Sequence, residues 1–237
     1  MRASPLGRPM TRAVVLLSGG LDSTVAAALA KEAGHELHAV SFDYGQRHMR
    51  ELESARAVAK ALGVATHAVL RVPVGEYGAS ALTDASIAVP TGRDERAMGA
   101  DIPVTYVPAR NIVFLSLALG VAEARDAASI YIGANALDYS GYPDCRPEFF
   151  AAFEEMARLG TKRGVEGRAV RIEVPLQRMT KADIVREGVR LGAPLALTWS
   201  CYQGGEVACG ACDSCALRLK GFREAGVRDP IAYAVPT

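Results

Sequence analysis

No stretch of this chain stays apolar over the roughly 20 residues that a membrane-spanning helix requires, so a helical anchor is not expected. Charge of one sign is not in excess either. The 27 Lys and Arg residues against 26 Asp and Glu leave a formal net charge of +1. Such a balance gives no overall field to draw the chain onto nucleic acid or a membrane surface, although a local basic patch remains compatible with it. Internal repeats and low-complexity segments are absent. The first ten residues hold two Pro, one Gly and two Arg and read as a disordered tail, with Met10 a candidate second start. The apolar run behind that tail leads straight into a glycine turn, with no small-residue cleavage site. It is therefore not read as a secretory signal, and a cytoplasmic protein is expected. Cysteines are few, five in all, and four of them crowd between Cys201 and Cys215. In a reducing compartment that distribution favours a metal site over disulfides.

What is present is a chain of 237 residues, half of them hydrophobic, which suits one large α/β domain with a small appendage. Strand-like and helix-like segments alternate. Strands are expected at 12–17, 36–42, 66–72, 129–132 and 170–174. Helices are expected at 23–33, 47–62, 111–124, 148–159 and 180–191, with a last one at about 212–225. Residues 111–124 are apolar nearly all round and read as a buried helix. Thr180 with Asp183 three residues on forms a capping-box signal. Residues 74–105 have no clear period and read as a long functional or mobile loop. The alternation predicts an open, mostly parallel, Rossmann-like sheet with helices on both faces. Three parts follow: a tail at 1–10, an α/β domain at 11–195, and a C-terminal cysteine segment at 196–237.

The organising stretch is Ser18-Gly19-Gly20-Leu21-Asp22-Ser23, placed between the apolar run 13–17 and a helix. Glycines permit a sharp turn and close approach of a ligand. The first amides of the helix point at that ligand with the positive end of the dipole behind them, and the serines add hydroxyls. Asp22 is out of place in an anion cradle unless it meets a Mg²⁺ ion that also meets the phosphates. The Gly-Lys-[Ser/Thr] ending of a Walker loop is missing. The loop resembles the SGGxDS motif of the PP-loop ATP pyrophosphatases, which implies ATP bound along residues Leu16, Leu17, Ser18, Gly19, Gly20, Leu21, Asp22, Ser23, Thr24, Val25 and Ala26. In an open parallel sheet, ligands sit beyond the carboxyl ends of the strands, so 43–48, 133–146 and 175–180 are expected on the same rim.

Cys201, Cys209, Cys212 and Cys215 place four thiols within fifteen residues, a spacing that can close tetrahedrally on Zn²⁺. An iron–sulfur cluster is the rival, but the ferredoxin pattern needs a further Cys and a Pro that are not there. Such a closed site is structural, and Arg218 and Lys220 are near enough in sequence to offset its negative charge. Cys145 stands apart, either a small buried residue or a nucleophile in a polar loop.

Three further stretches join the first: Phe42-Asp43-Tyr44-Gly45-Gln46-Arg47-His48, Val107-Pro108-Ala109-Arg110-Asn111, and the run from Gly133 to Phe149 that contains Asp138-Tyr139-Ser140-Gly141-Tyr142-Pro143-Asp144-Cys145-Arg146. With the cysteine quartet they resemble the QueC family of the queuosine pathway, the 7-cyano-7-deazaguanine synthases. The resemblance covers nearly everything after Met10. It implies an ATP-dependent ligase that turns 7-carboxy-7-deazaguanine and ammonia into the nitrile through adenylated carboxylate and amide. It also implies a homodimer that acts on small molecules and takes no nucleic acid. On that reading Ser18, Gly19, Gly20 and Ser23 bind pyrophosphate and Asp22 holds Mg²⁺. Arg110 either stabilises charge developing on the phosphate or makes a surface salt bridge. Asp43, Tyr44, Arg47, Tyr139, Asp144 and Arg146 are candidates to hold the base: carboxylates for its N–H edge, tyrosines for its face, arginines for its carboxylate. His48 is either a base or the opening of the second helix. Ala109 departs from the family, which often has Gly there; if the position needs a positive φ, alanine is strained. The alternatives are a tRNA-thiolating PP-loop enzyme, for which an added basic domain is missing, and a non-catalytic nucleotide-binding module.

Overall fold

The computed structural model of the chain describes residues 10–93, 98, 101–135 and 142–234. Among these, five strands form one sheet: β1 (Arg12–Leu16), β2 (Glu36–Asp43), β3 (Thr66–Arg71), β4 (Ser129–Tyr131) and β5 (Arg171–Glu173). Their order is β3-β2-β1-β4-β5 and every pairing is parallel. The connecting helices are α1 (Leu21–Glu32), α2 (Arg50–Leu62), α3 (Arg110–Ala124), α4 (Pro147–Gly160), the single turn α5 (Lys162–Val165), α6 (Lys181–Arg190) and α7 (Asp213–Ala225).

Alternation along each strand sends successive side chains to opposite faces. Val14, Leu16, Val40, Phe42 and Ile130 pack on Leu115 and Ala118 of α3 and on Phe150 and Phe153 of α4. Their neighbours Ala13, Val15, Leu37 and Ala39 pack on Ala27 and Ala30 of α1 and on Ala55 and Val58 of α2. Small alanines on α1 let it lie close to the sheet, so its opposite stripe remains available. Leu21 and Val25 use it to pack against Ile184 and Val185 of α6 and Phe222 of α7. Burial of each such Val, Leu or Phe contributes about 1.5–3 kcal/mol, so the β1–α1 corner sits on two cores at once.

Several boundaries shift from the sequence reading. The first helix begins at Leu21 rather than 23, with Gly20 as its N-cap. The second begins at Arg50 rather than 47. Residues 44–49 stay a loop because the Gln46 side chain bonds Tyr44 N (2.9 Å) and Phe42 O (3.3 Å), while Arg47 N donates to Leu82 O. His48 therefore stands before the helix. The capping box at Thr180 and Asp183 is present in both directions. Helix α3 is not buried all round: Phe114, Leu115 and Ala118 face the core, but Ile112 and Leu117 are exposed. Ala109 precedes α3 at φ +56° and ψ +19°, the left-handed conformation that its sequence context raised. Part of the 74–105 segment packs as a cover, with Ala81 and Val89 buried against Trp199, Cys201 and Cys212.

Candidate active site

Strand order reverses between β1 and β4, and the crevice opens there beyond their carboxyl ends. A cavity of about 290 Å³ occupies it, lined by Ser18, Gly20, Leu21, Asp22 and Ser23 from the first turn and by residues from the segments around it. The turn needs its glycine: Gly19 has φ +87°, and a Cβ there would stand 2.3 Å from Glu51 O of α2. The opposite wall needs one too, since a Cβ on Gly133 would stand 2.7 Å from Asp22 C and Ser23 N. Within the turn the Ser18 and Ser23 hydroxyls share a hydrogen bond of 3.0 Å, and Ser18 Oγ accepts from Gly20 N. The amides of Leu21, Asp22 and Ser23 open α1 and have no intrahelical acceptors, which leaves an anion-seeking end facing the cavity.

Asp22 faces a cation that the sequence reading passed over. Lys181 Nζ lies 2.8 and 3.0 Å from the two carboxylate oxygens, across 159 positions of sequence. Lys181 is the first residue of α6, where a cation opposes the helix dipole. That local misfit was the available signal.

Arg110 lines the cavity from the start of α3, with Cζ 5.9 Å from the centre of the Tyr44 ring. Burial would lower its pKa, but Tyr44, Tyr142 and Asp144 outweigh burial and hold the guanidinium charged. It makes no surface salt bridge among the described residues. Tyr44 is buried, and burial pushes its hydroxyl up to about 12. Phe42 stacks on Phe114 at 4.0 Å behind it. Glu51, in the first turn of α2, also lines the cavity; burial pushes its carboxyl up to about 7, with Arg110 pulling the other way. Burial and the Asp144 charge push the Cys145 thiol up to about 12, and its sulfur accepts from Asn111 Nδ2 at 3.4 Å. That is the environment of a packed thiol, not of a nucleophile.

The expected residues divide. Leu16, Leu17, Ser18, Gly20, Leu21, Asp22, Ser23, Tyr44 and Arg110 line the cavity. Gly19 is covered by α2, and the side chains of Thr24, Val25 and Ala26 are buried in α1. Asp144 turns to the start of α3 and accepts from Asn111 N at 3.0 Å, a helix cap supplied from 33 positions away. Arg47 bonds the carbonyls of Ala81, Ala85 and Ile87. Asp43 closes β2, and Arg146 is exposed as the N-cap of α4. None of these four is a cavity-lining residue. Tyr139 lies outside the described residues. Besides Lys181 and Glu51, the reading missed Asn135, Tyr142, Trp199, Tyr202, Leu217 and Arg218, all of which line the cavity.

The four cysteine sulfurs lie within 4.8 Å of one another, and Cys209 Sγ is 3.9 Å from Cys215 Sγ. A tetrahedral ion with metal–sulfur bonds of about 2.3 Å needs sulfurs about 3.8 Å apart, so the set can hold a metal. Backbone amides of Gln203 and Cys209 point at Cys201 Sγ, and those of Ala211 and Cys212 at Cys209 Sγ. Hydrogen bonds from Cys212 and Cys215 hold the Cys201 thiol far below its usual range, while the bond with Cys201 pushes Cys212 up to about 12. Arg218 does not serve to offset these thiolates as expected. It is buried and pairs with Asp229 through two bonds of 2.7 and 2.9 Å.

A family model described as queuosine biosynthesis protein QueC matches residues 12–226. A relative from Anaeromyxobacter sp. (strain Fw109-5), named 7-cyano-7-deazaguanine synthase, is 59% identical over 95% of this chain and 97% of its own. Another of that name from Solidesulfovibrio magneticus is 61% identical over 94% of this chain and 95% of its own. Among solved structures, a 4-thiouridine synthetase in complex with RNA and ATP shares the fold at a TM-score of 0.50 and 19% identity, over 77% of this chain and 41% of that one. With a family match over residues 12–226 behind the parallel sheet and its glycine turn, the chain belongs to the QueC family of queuosine-biosynthesis proteins.

Proposed function

We propose that the chain converts 7-carboxy-7-deazaguanine and ammonia to 7-cyano-7-deazaguanine at the expense of ATP. The observation that carries this is identity of 59–61% over nearly the whole chain to proteins of that name. The cavity suits the chemistry. A carboxylate is a poor electrophile, so one of its oxygens attacks the α-phosphorus of ATP and pyrophosphate leaves. The free amides of α1 with Ser18 and Ser23 receive the departing pyrophosphate, and Arg110 faces the charge that builds on the transferred phosphoryl group. Ammonia adds to the acyl adenylate and AMP departs, leaving the amide. The amide oxygen then takes AMP from a second ATP. Loss of that AMP and of the nitrogen's remaining protons leaves the nitrile.

Asp22 would hold Mg²⁺, which neutralises phosphate charge when bound, and Lys181 is placed to leave Asp22 for the pyrophosphate. Cys201, Cys209, Cys212 and Cys215 would hold one structural Zn²⁺. Tyr44 supplies a ring face for the base, and Asp43, Arg47, Asp144 and Arg146, with Tyr139 outside the described residues, are the further candidates to hold it. The reading extends to a cytoplasmic homodimer that acts on small molecules rather than nucleic acid, with an ATP-binding part at 11–195 and a zinc-binding part at 196–237.

The test is to mix the protein with ATP, Mg²⁺, ammonia and 7-carboxy-7-deazaguanine and follow product mass together with AMP. The expected result is nitrile with two AMP released per nitrile. Absence of nitrile, or nitrile formed without ATP, overturns the reading. Asp22→Asn should keep the fold and lose turnover; full activity in that variant would remove Asp22 from the metal role.

A further inference from the structure

We propose that Glu51 is the specificity residue that reads the amino-pyrimidinone edge of the base. The assignment rests on the function proposed above.

Glu51 is the second residue of α2, and its position is fixed from behind, because its own carbonyl packs on Gly19 of the phosphate turn. Its side chain lines the same cavity as Tyr44, Arg110, Tyr142 and Tyr202. Among the described residues its carboxylate accepts no hydrogen bond and makes no ion pair, and the charge of Arg110 reaches it only through space. With no protein donor, the Glu51 carboxylate in this cavity has only water to satisfy it, which the donors of a bound ligand can replace.

The shape of the missing partner follows from the acceptor. The Arg110 charge and a bound pair of donors both favour the ionised form of Glu51, and an ionised carboxylate is acceptor-only, best satisfied by two parallel N–H donors on a rigid edge. A 7-deazaguanine offers that pair in its ring N–H and its exocyclic amino group. Adenine offers one donor beside one acceptor, whose lone pair would face the second carboxylate oxygen. A ribose diol also has two donors, so the nucleotide sugar is the competing source of the same chemistry. The tyrosines that share the cavity with Glu51 favour a flat ring over a sugar.

The experiment compares wild type, Glu51→Gln and Glu51→Ala. Equilibrium binding is measured separately for ATP with Mg²⁺, for 7-carboxy-7-deazaguanine, and for the analogue that lacks the exocyclic amino group. Wild type should prefer the base to the analogue by roughly 10- to 100-fold, the worth of one hydrogen bond to a charged group. Glu51→Gln replaces one acceptor by a donor, so it should weaken the base by a similar factor and lose most of the preference. Its ATP affinity should stay within about twofold, which also shows that the variant is folded. Unchanged base affinity, or a preference retained in Glu51→Gln, overturns the assignment. Weakened ATP with unchanged base overturns it in favour of the ribose. Nitrile formation by wild type is recorded in parallel. If wild type makes nitrile and Glu51→Gln still binds the base, only the Glu51 assignment fails. If wild type binds no base, the functional reading fails with it.

Discussion

At Ala109 the backbone sits at φ +56°, where an L residue crowds its own carbonyl at a cost of about 1–2 kcal/mol. Glycine removes that cost but adds freedom to the unfolded chain. Ala109→Gly should therefore stabilise the protein by about 1 kcal/mol, read as a shifted urea midpoint at unchanged slope. Arg110 follows directly, so a relaxed turn should also leave activity unchanged unless the strain itself aims the guanidinium. Lys181 is tied to the glycine turn through Asp22. Its ammonium is 2.8 Å from Asp22, with both side chains largely out of solvent. Lys181→Met leaves a negative charge alone at a phosphate site. Nucleotide affinity should fall, and kcat should drop by about 100-fold or more, the scale of losing one charged stabiliser of a transition state. Steady-state kinetics with ATP varied would check this, and near-normal kcat would show that Lys181 only steadies Asp22.

The helices and strands were largely legible, because period 2 and period 3.6 are local properties and each strand here is short and apolar. Arg47 was read into α2 because nothing in its own neighbourhood announces that the Gln46 amide holds the chain open and that Arg47 reaches Ala81. Asp144 caps α3 from 33 positions away, an arrangement that has no sequence signature. The glycine turn of the cavity wall was legible since all its groups are consecutive, whereas Glu51 and Lys181 join it only through packing. Element-scale electrostatics adds a pH argument. His38 of β2 is buried beside β3, with Thr66 Oγ1 2.9 Å from Nδ1 and Glu36 Oε1 3.2 Å from Nε2. Burial lowers its pKa, Glu36 opposes this, and Arg125 and Arg12 add to it, for a net value below the usual imidazole range. As pH falls, the unfolded chain therefore protonates first. The stability His38 confers is complete above its unfolded pKa of about 6.5 and is lost as pH drops through the lower folded value. Urea unfolding of wild type and His38→Gln from pH 8 to pH 5 should show the gap between them shrinking toward acid. A gap that widens would mean the ring is held charged by Glu36.

Across the whole molecule, the cysteine segment is part of the active-site wall. Trp199 N donates to Gly19 O at 2.8 Å, so the chain entering the cysteine site is bonded to the phosphate turn itself. The Trp199 ring donates to Cys201 O at 3.0 Å and lies under Arg50 of α2. From the far side, Thr91 pairs with Cys212, Gly92 N donates to Ala211 O, and Arg93 pairs with buried Asp213. A metal that closes the four thiolates thus fixes a covering loop, the C-terminal helix and the phosphate turn in one arrangement. The sheet and its two main cores contain none of these cysteines. Extraction of the metal with a chelator should consequently spare most far-UV dichroism while ATP affinity falls at least about tenfold. Trp199 is the only tryptophan of the chain, so its emission reports on the joint between the two sites and should move to longer wavelength. Because coupling between two sites is reciprocal, bound ATP should in turn slow metal extraction and tighten its retention by the same factor. Equal ATP affinity with and without the metal, at retained secondary structure, would show that the clamp holds its own segment and nothing the nucleotide uses.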